Sequence, residues 1–422
     1  MRARIACQAA AIAVIVATST SFAGADWPAF RGPAGLGVSK EAELPVRWNE
    51  GGENVVWKSE LPGAGSSSPI VVGDRVYVTC YSGYGRGVAD PGEIDDLRLW
   101  VVAAKTSDGE VIWKREIRPR LPEEDSVRDH GYAAPTPASD GRHIFVFFGK
   151  TGVFKLGLDG KVVWQQTVGD RTHGWGCGTS PFLFGPLVIV NASVESGSLI
   201  ALHKETGKEV WRAGGMRESW NTPHLVDLPG GRKELVVSVK DRILAFDPRN
   251  GNELWRCRGI EDYVCPSVVS KDGIVYATGG RRSLVVAVRA GGRGDVTRTH
   301  RLWEARVGAN VSSPVIHGDH LYGVSDRSGV AYCVRLADGE VAYSERVRGQ
   351  PYASAVTANG TIWVVTRRDG TLVIAAKPEF ELIGQNRLDD DSTFDASPAV
   401  SDGRLYIRSD RWLYAIGKKA SS

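Results

Sequence analysis

The stretch SSPIVVGDRVYVT, residues 67–79, decides the fold because it returns seven more times along the chain. Each copy has a short apolar run, a turn that contains glycine, and a second run of alternating β-branched and aromatic residues. This is the pattern of a β-hairpin. The proline near the start fits the first residue of a strand, where a missing N–H is tolerated. The later copies begin at Ala134, Thr179, Thr222, Cys265, Ser312, Ala353 and Ala396.

A second phrase lies between the copies, as in ALHKETGKEVW (residues 201–211) and AFDPRNGNELW (residues 245–255). It predicts two further strands around a turn, with a glycine four residues before the tryptophan. A large ring fixed relative to a turn indicates packing between neighbouring sheets, where burial of an aromatic ring stabilises most. Tyr343 replaces the tryptophan after Gly339. The predicted structural tryptophans are Trp57, Trp113, Trp164, Trp211, Trp255 and Trp303.

Two hairpins per unit, at a period of roughly 41 to 48 residues outside the longer first unit, predict the four-stranded antiparallel blades of an all-β, eight-bladed β-propeller. The last copy ends near Gly417 without a fourth strand that carries tryptophan. The missing strand is found at the other end of the chain, in ENVVWKSEL from Glu53. We therefore expect the N-terminal strand to close the last blade, which leaves no free sheet edge at the junction.

The N-terminal 25 residues have the pattern of a secretory signal peptide: two arginines, an apolar run over residues 9–18, and a cleavage site after Ala23 or Ala25. The remainder, residues 26–422, is predicted to be one domain of a periplasmic or secreted protein. No later segment is long and apolar enough to span a membrane. Removal of residues 1–25 lowers the formal net charge from +3 to +1. We expect no nucleic acid partner, since the chain has no basic bias.

Five cysteines follow the predicted signal peptide, and their odd number leaves at least one thiol unpaired. They have no CxxC spacing, which argues against a zinc ribbon, a c-type haem site or a thioredoxin-like site. We favour scattered buried thiols over a disulfide between Cys257 and Cys265, although the spacing allows either. The five are Cys80, Cys177, Cys257, Cys265 and Cys333.

The second phrase, A-x-(D/H)-x-x-(T/N)-G-x-x-x-W, resembles the repeat of the PQQ-like (pyrroloquinoline quinone) β-propellers. That superfamily includes quinoprotein alcohol dehydrogenases and the BamB-type assembly factor of the bacterial outer membrane. The stretch DWPAFRGPAGLGVS, residues 26–39, resembles the start of secreted bacterial PQQ-like repeat proteins. The chain departs from the dehydrogenases because it lacks their adjacent cysteine pair and a haem-attachment motif. Their metal-binding and catalytic acids have no counterpart that a motif identifies.

The loops that enter the innermost strands converge on the propeller axis and share a face with the loops between second and third strands. Aligned on the proline, they predict a largely aromatic ring at one mouth of the channel. Such residues either fill the mouth by packing together or form a binding site, and we favour a binding site. His173 and Cys177 lack the further ligands of a zinc site, so no metal is predicted. The candidate ligand-binding residues are Tyr132, His173, Trp175, Cys177, Trp220, Tyr263, Asn310, Tyr352 and Phe394.

Two long loops, residues 82–96 and 115–131, are predicted to lie on this face, either as a partial lid or as ordinary surface loops. Solvated loop charge is expected at Glu123, Glu124, Asp389, Asp390 and Asp391. The favoured function is a non-catalytic binding or scaffold propeller of the bacterial cell envelope. It would be a monomer without cofactor that holds an envelope protein or a small ligand at the channel mouth. The alternative is a small PQQ-dependent dehydrogenase that oxidises an alcohol or sugar, with the quinone stacked on Trp175 or Trp220 and held by calcium.

Overall fold

Eight antiparallel sheets are present in the computed structural model, which describes residues 26–85 and 91–418. Seven blades take their four strands from one continuous stretch of the chain, and the last takes its fourth strand from the N-terminal part. Helical structure in these residues is limited to α1 (Thr297–His300) and three 3-10 turns, Ile94–Asp96, Gly149–Thr151 and Pro229–Gly231. The predicted all-β, eight-bladed propeller is confirmed. The signal peptide predicted for residues 1–25 lies outside the described residues.

The strands are numbered along the chain, and β1 (Val38–Ser39) and β2 (Val55–Glu60) precede the first blade. Blade 1 contains β3 (Ile70–Val72), β4 (Arg75–Ser82), β5 (Arg98–Lys105) and β6 (Val111–Ile117), and blade 2 contains β7 (Ala138–Ser139), β8 (His143–Phe147), β9 (Val153–Gly157) and β10 (Val162–Gln166). Blade 3 contains β11 (Phe182–Phe184), β12 (Leu187–Ala192), β13 (Ser198–His203) and β14 (Glu209–Gly214). Blade 4 contains β15 (His224–Leu228), β16 (Arg232–Val239), β17 (Arg242–Phe246) and β18 (Glu253–Arg258).

Blade 5 contains β19 (Val269–Lys271), β20 (Ile274–Gly279), β21 (Leu284–Arg289) and β23 (Arg301–Ala305), with the short β22 (Gly294–Asp295) inserted before the last. Blade 6 contains β24 (Val315–His317), β25 (His320–Val324), β26 (Val330–Arg335) and β27 (Val341–Arg346). Blade 7 contains β28 (Val356–Ala358), β29 (Thr361–Val365), β30 (Thr371–Ala375) and β31 (Leu382–Asn386). Blade 8 contains β32 (Ala399–Ser401), β33 (Arg404–Arg408) and β34 (Trp412–Ile416), and β2 completes it.

Strand order within a blade runs outward from the central channel. The first strands of neighbouring blades contact one another, as β3 contacts β32 and β24 contacts both β19 and β28. Antiparallel strands alternate in direction. The loops that enter each first strand therefore lie on the same side of the propeller as the loops that join second to third strands, and this side is named the mouth face.

The N-terminal strand closes the ring. β2 pairs with β34 in antiparallel register, with Val55 opposite Ile416 and Glu60 opposite Trp412. β2 is thus the fourth strand of blade 8, which confirms the prediction. The outer edge of β34 is covered, so the two ends of the repeat are joined by a hydrogen-bonded ladder.

Tryptophans of the second phrase join each blade to the next. The ring of Trp211 lies against Gly251 of the following blade, where a Cβ atom would come within 2.5 Å of the indole. The indole N–H donates to the carbonyl oxygen of Pro248 at 3.2 Å. Trp57 and Gly109 make the same contact between blades 8 and 1. Only glycine leaves room for the ring at these positions of positive φ. The contact recurs in three more pairs, Trp113 with Gly160, Trp164 with Gly207, and Trp303 with Gly339.

Blade 4 departs from this arrangement because an insertion, residues 290–300, replaces the short turn of the next blade. Trp255 donates instead to the buried carboxylate of Glu234 at 2.7 Å. Within the insertion, β22 pairs in parallel with β18 and covers the outer edge of blade 4. The insertion joins a third strand to a fourth, and so it lies opposite the mouth face.

Residues 26–39 lie across the channel on the side opposite the mouth face. Trp27 forms a β-bridge with Val71 of blade 1, and the carbonyl oxygen of Pro28 accepts an N–H from blade 2 at 2.8 Å. At the other end of the segment, β1 pairs in parallel with β28 of blade 7. Trp27 and Arg31 are buried between these contacts. The stretch that the sequence analysis recognised only by resemblance thus obstructs one end of the channel.

Candidate functional site

A cavity of about 460 Å³, named the mouth cavity, lies where the innermost strands begin on the mouth face. Phe30 of the N-terminal segment lines it and also lines a second cavity, of about 560 Å³, on the opposite side. The mouth cavity has the volume of a small-molecule or peptide site. Five of the nine candidate residues line it: Trp175, Trp220, Tyr263, Asn310 and Tyr352.

An aromatic cluster forms one wall of the mouth cavity. The ring of Trp175 lies 4.5 Å from that of Tyr263, edge to face, and 5.1 Å from that of Trp220. His173, which lines a separate small cavity and not the mouth cavity, packs edge-on against Trp220 at 5.1 Å. The indole N–H of Trp220 donates to the carbonyl oxygen of Gly176 at 2.9 Å. These contacts fix the orientation of the rings, and such pairs stabilise beyond their buried area.

Three other candidates lie away from the cavity. The hydroxyl of Tyr132 donates to a backbone carbonyl at 2.5 Å, and its ring packs against Tyr81. Cys177 lines a separate small cavity. Phe394 stacks on Tyr414 in the core of blade 8 at 6.3 Å, and the residue after it, Asp395, lines the mouth cavity instead. Alignment on the proline does not place all equivalent positions in one ring, because the entering loops differ in conformation.

A ring of hydroxyl side chains, named the hydroxyl ring, also lines the mouth cavity. The sequence analysis did not predict it. Each hairpin phrase carries a serine or threonine just before its first strand, which is a signal that the sequence contains. In seven of the eight steps around the ring, the backbone N–H of one member donates to the hydroxyl oxygen of the next at 2.8 to 3.1 Å. The members are Ser68, Thr136, Ser180, Thr222, Ser267, Ser313, Ser354 and Ser397.

These hydroxyl groups use their oxygens to hold neighbouring blades together. A hydroxyl group has one O–H donor in addition to its acceptor lone pairs. Among the residues that the structure describes, none of the eight donates its hydrogen to a protein acceptor, whereas seven accept a backbone N–H. The inner part of the cavity therefore presents a circle of uncommitted O–H donors.

An ionic cluster lies on the side opposite the aromatic wall. The guanidinium of Arg367 binds Asp395 with two hydrogen bonds, of 2.8 and 3.1 Å, and Asp129 with a third at 3.1 Å. It also lies over the ring of Tyr352, with 5.3 Å between the guanidinium carbon and the ring centroid. Burial raises the pKa of Asp395 to about 6, although Arg367 acts in the opposite direction. Both carboxylates are thus engaged by one arginine.

Three further arginines line the mouth cavity and are exposed. Arg281 lies over the ring of Tyr263 at 5.0 Å and forms an ion pair with Asp262 at 3.6 Å. Arg327 donates to the backbone carbonyl of Arg281 at 3.0 Å. In residues 26–85 and 91–418, neither Arg128 nor Arg327 has an acidic partner within ion-pair distance. The rim therefore carries two guanidinium groups that form no ion pair in the described residues, although the charge of Arg327 acts on the nearby Asp326.

Acceptor groups occupy the wall beside the aromatic cluster. The side-chain amide of Asn310 donates to the hydroxyl of Tyr263 at 2.9 Å. Its oxygen, Oδ1, is buried and has no hydrogen-bond partner in the described part of the chain. The carboxylate of Asp326 accepts the backbone N–H groups of Asn310 and Val311 at 2.6 and 3.1 Å, and burial raises its pKa. An unpaired buried acceptor is costly unless a ligand or water supplies a donor.

The loop that enters blade 2, residues 118–131 and named the lid loop, extends over part of the mouth. Its ion pair between Asp129 and Arg367 joins it to blade 7. The second long loop supports it, since the hydroxyl of Tyr84 donates to the carbonyl oxygen of Asp125 at 2.6 Å. Both loops lie on the mouth face, where strand parity predicts them. Residues 86–90 of the second loop lie outside the described residues.

A small cavity of about 40 Å³ lies beneath the lid loop. Burial raises the pKa of Glu123 to about 7 and that of Glu195 to about 7; Glu124 raises the pKa of Glu123 further, and Glu123 raises that of Glu195. Burial and Glu195 raise the pKa of the Cys177 thiol. Lys150 donates to a backbone carbonyl of the lid loop. The expectation that Glu123 is solvated is wrong, because its side chain is partly buried beside this small cavity.

All five cysteines of the described residues are free thiols. In the same residues, no group of three or more His, Cys, Asp or Glu side chains has the arrangement to hold a metal ion. His173 and Cys177 accordingly belong to no such group. No helix in the described part of the chain is long and apolar enough to cross a membrane.

Comparison with known proteins gives a consistent set of relatives. The family described as outer membrane protein assembly factor BamB matches residues 98–345, which is more than half of the chain. The outer membrane protein assembly factor BamB of Burkholderia pseudomallei (strain K96243) is 24% identical over 372 residues, which cover 75% of this chain and 86% of that protein.

Two solved structures share the fold. The crystal structure of BamB from Moraxella catarrhalis has a TM-score of 0.60 at 15% identity, over 86% of this chain and 99% of that one. The quinohemoprotein alcohol dehydrogenase from Comamonas testosteroni has a TM-score of 0.64 at 12% identity, over 94% of this chain and 81% of that one. At such identities the two structures show a common propeller and say nothing about chemistry.

Proposed function

Since the chain belongs to the family of outer membrane protein assembly factor BamB, we propose that it is a non-catalytic binding propeller of the bacterial cell envelope. The mouth cavity carries the proposal. Its wall of packed aromatic rings, its exposed arginines and its hydroxyl ring lie on loops that a closed ring of blades holds in place. Concave apolar sites with a few directed polar groups are the usual places for a ligand.

The family match and the predicted signal peptide support a location in the periplasm. The family description refers to outer membrane protein assembly, which takes place at that membrane and favours a protein partner over a metabolite. The lid loop adds to this interpretation because its exposed Arg128 and its ion-paired Asp129 form part of the rim. We propose that a partner contacts this rim first and inserts a segment into the mouth cavity.

The second candidate, a dehydrogenase that uses PQQ and calcium, does not fit the donor groups of the mouth cavity. Trp175 and Trp220 are tilted by 50° and pack against each other and Tyr263, so they present edges and leave no open pair of parallel faces. The two buried acids are also engaged already, Asp395 by Arg367 and Asp326 by two backbone N–H groups.

Position-specific photocrosslinking in living cells tests the proposal. A photoreactive amino acid at Arg128, on the exposed rim, should form an adduct of one defined mass with an envelope protein. The same amino acid at Val163, which is 55% exposed on the outer strand of blade 2, is the control. The partner, identified by mass spectrometry and purified, should bind the mature protein directly. Equal adducts at both positions, or none at Arg128, would contradict the proposal.

A turnover assay separates the two candidates. Purified protein incubated with PQQ and calcium is assayed with alcohols and sugars by dye-linked oxidation. We expect no turnover above that of the quinone and metal alone. Saturable quinone binding with turnover would replace the binding function by the dehydrogenase function.

A further inference from the structure

We propose that the mouth cavity binds the free carboxyl terminus of an extended polypeptide, with its carboxylate towards the hydroxyl ring and the preceding side chains against the aromatic wall. The inference rests on the proposed function and names the part of the partner that enters the site. It follows from the shape of the cavity and from the arrangement of donors and acceptors in it.

The shape of the cavity favours a chain end. The N-terminal segment, residues 26–39, lies across the channel below the hydroxyl ring, and Phe30 separates the mouth cavity from the cavity on the other side. A polypeptide that enters at the mouth face therefore does not continue through the propeller. An extended chain advances about 3.3 Å per residue, so a few terminal residues span a cavity of this volume.

The donors of the cavity favour a carboxylate. The hydroxyl ring presents O–H groups that no acceptor of the described residues uses, and Arg128 and Arg327 bring to the rim guanidinium groups that form no ion pair with an acid of those residues. Hydrogen bonds from charged donors to a carboxylate are about twice as strong as neutral ones. An ammonium group is less favoured, because Asp395 and Asp129 are bound to Arg367 and the third acid of the cavity, Asp326, already accepts two backbone N–H groups.

The acceptors of the cavity favour a peptide over a small organic acid. Oδ1 of Asn310 is a buried acceptor without a partner, placed beside Tyr263 in the wall. A backbone N–H of an extended segment would satisfy it, whereas a simple carboxylic acid offers no such donor. Trp175 and Tyr263 supply apolar surface for the side chains on the same side of the segment. Capture of a terminal carboxylate is a known mode of peptide recognition.

Two peptide libraries test the inference on the full mature protein. Both consist of the same fluorescein-labelled random hexapeptides, one with free carboxyl termini and one with terminal carboxamides. We expect the protein to enrich a subset of the free acids and to bind the matching carboxamides at least tenfold more weakly. Equal binding of the two forms, or no enrichment in either, would overturn the inference. A match of that affinity by hexanoate alone would also overturn it.

Variants locate the bound terminus. Arg327→Met and Asn310→Leu should each weaken the binding of the enriched free acids by about tenfold or more, since the first removes positive charge from the rim and the second removes a buried acceptor. Arg142→Met is the matched control, because Arg142 is an exposed arginine in a turn opposite the mouth face. Circular dichroism and thermal melting confirm that each variant is folded. An effect of Arg142→Met as large as that of Arg327→Met would contradict the placement.

The outcomes distinguish this inference from the function on which it rests. If the rim crosslinks to a partner but no free acid binds, the propeller is a binding protein whose partner does not insert a terminus, and the inference is wrong. If the crosslink is absent and free acids bind, the partner assignment to the envelope is wrong while the site remains. Removal of the last three residues of the crosslinked partner should abolish its binding.

Discussion

Single residues determine how one blade meets the next, and Trp211 shows the effect most directly. Its indole is 7% exposed and fills the space over Gly251, whereas the neighbouring Val210 is 49% exposed on the same strand. Replacement of a large buried side chain by alanine costs about 3–5 kcal/mol. We expect Trp211→Ala to lower the free energy of unfolding by that amount in urea denaturation. Val210→Ala should change it by less than about 0.5 kcal/mol, and similar effects of both would contradict the packing.

The same pair shows what the sequence reveals and what it hides. The spacing of four residues between glycine and tryptophan is visible in the second phrase, and it predicts strands and turns correctly. The actual partner of Trp211, however, is the glycine of the following repeat, because packing between blades joins residues that are distant in the chain. The hydroxyl ring was missed for a related reason: its serines and threonines look like ordinary strand caps until eight of them face one axis.

Among the elements, the lid loop combines a long connection with buried acids. Glu123 and Glu195 have pKa values of about 7 beneath it, against an ordinary value of 4.5, while Lys150 and Arg171 act in the opposite direction. The docked loop therefore holds protons that the open loop releases, and its docking weakens as the pH rises from about 4.5 to 7. Each linked proton changes the opening free energy by at most about 1.4 kcal/mol per pH unit.

Hydrogen exchange measures this linkage. After correction for the intrinsic rate, the amides of residues 118–131 should exchange faster at pH 8 than at pH 5.5. Glu195→Gln removes one titrating group and should reduce the difference, whereas the amides of β12, which is buried in blade 3, serve as the internal reference. Equal protection of the loop at both pH values would rule out the proposed coupling.

Element by element, the strands were predictable because each hairpin repeats its own turn and apolar pattern. The conformations of the loops that enter the first strands were less predictable. Tyr132 is drawn away from the channel by the lid loop, and Phe394 turns into the core of blade 8 while Asp395 lines the cavity. Position relative to a proline fixes where a strand begins, but the path of the preceding loop depends on its length and on its contacts with distant loops.

For the whole molecule, two N-terminal segments act on the ring in different ways. β2 was predicted because blade 8 lacks a fourth strand in the sequence. It pairs with β34 as the fourth strand of each other blade pairs with the third, although the two strands come from opposite ends of the chain. Residues 26–39 carry no repeat. Their path depends on single contacts with blades 1, 2 and 7, such as the pairing of Val38 with Thr357, which no periodicity indicates. The first segment closes the ring and the second closes the channel.

Truncation separates these two roles. Deletion through Lys40 removes the segment across the channel but keeps β2, so the ring stays closed and we expect a monomer in size-exclusion chromatography with light scattering. Deletion through Glu60 also removes β2 and the contact of Trp57 with Gly109. The edge of β34, residues Trp412–Ile416, is then unpaired, and unpaired edges recruit strands of other molecules. We expect the longer deletion to self-associate and to melt at lower temperature. If it remained a monomer with the melting temperature of the shorter deletion, closure of blade 8 would contribute nothing to the stability of the ring.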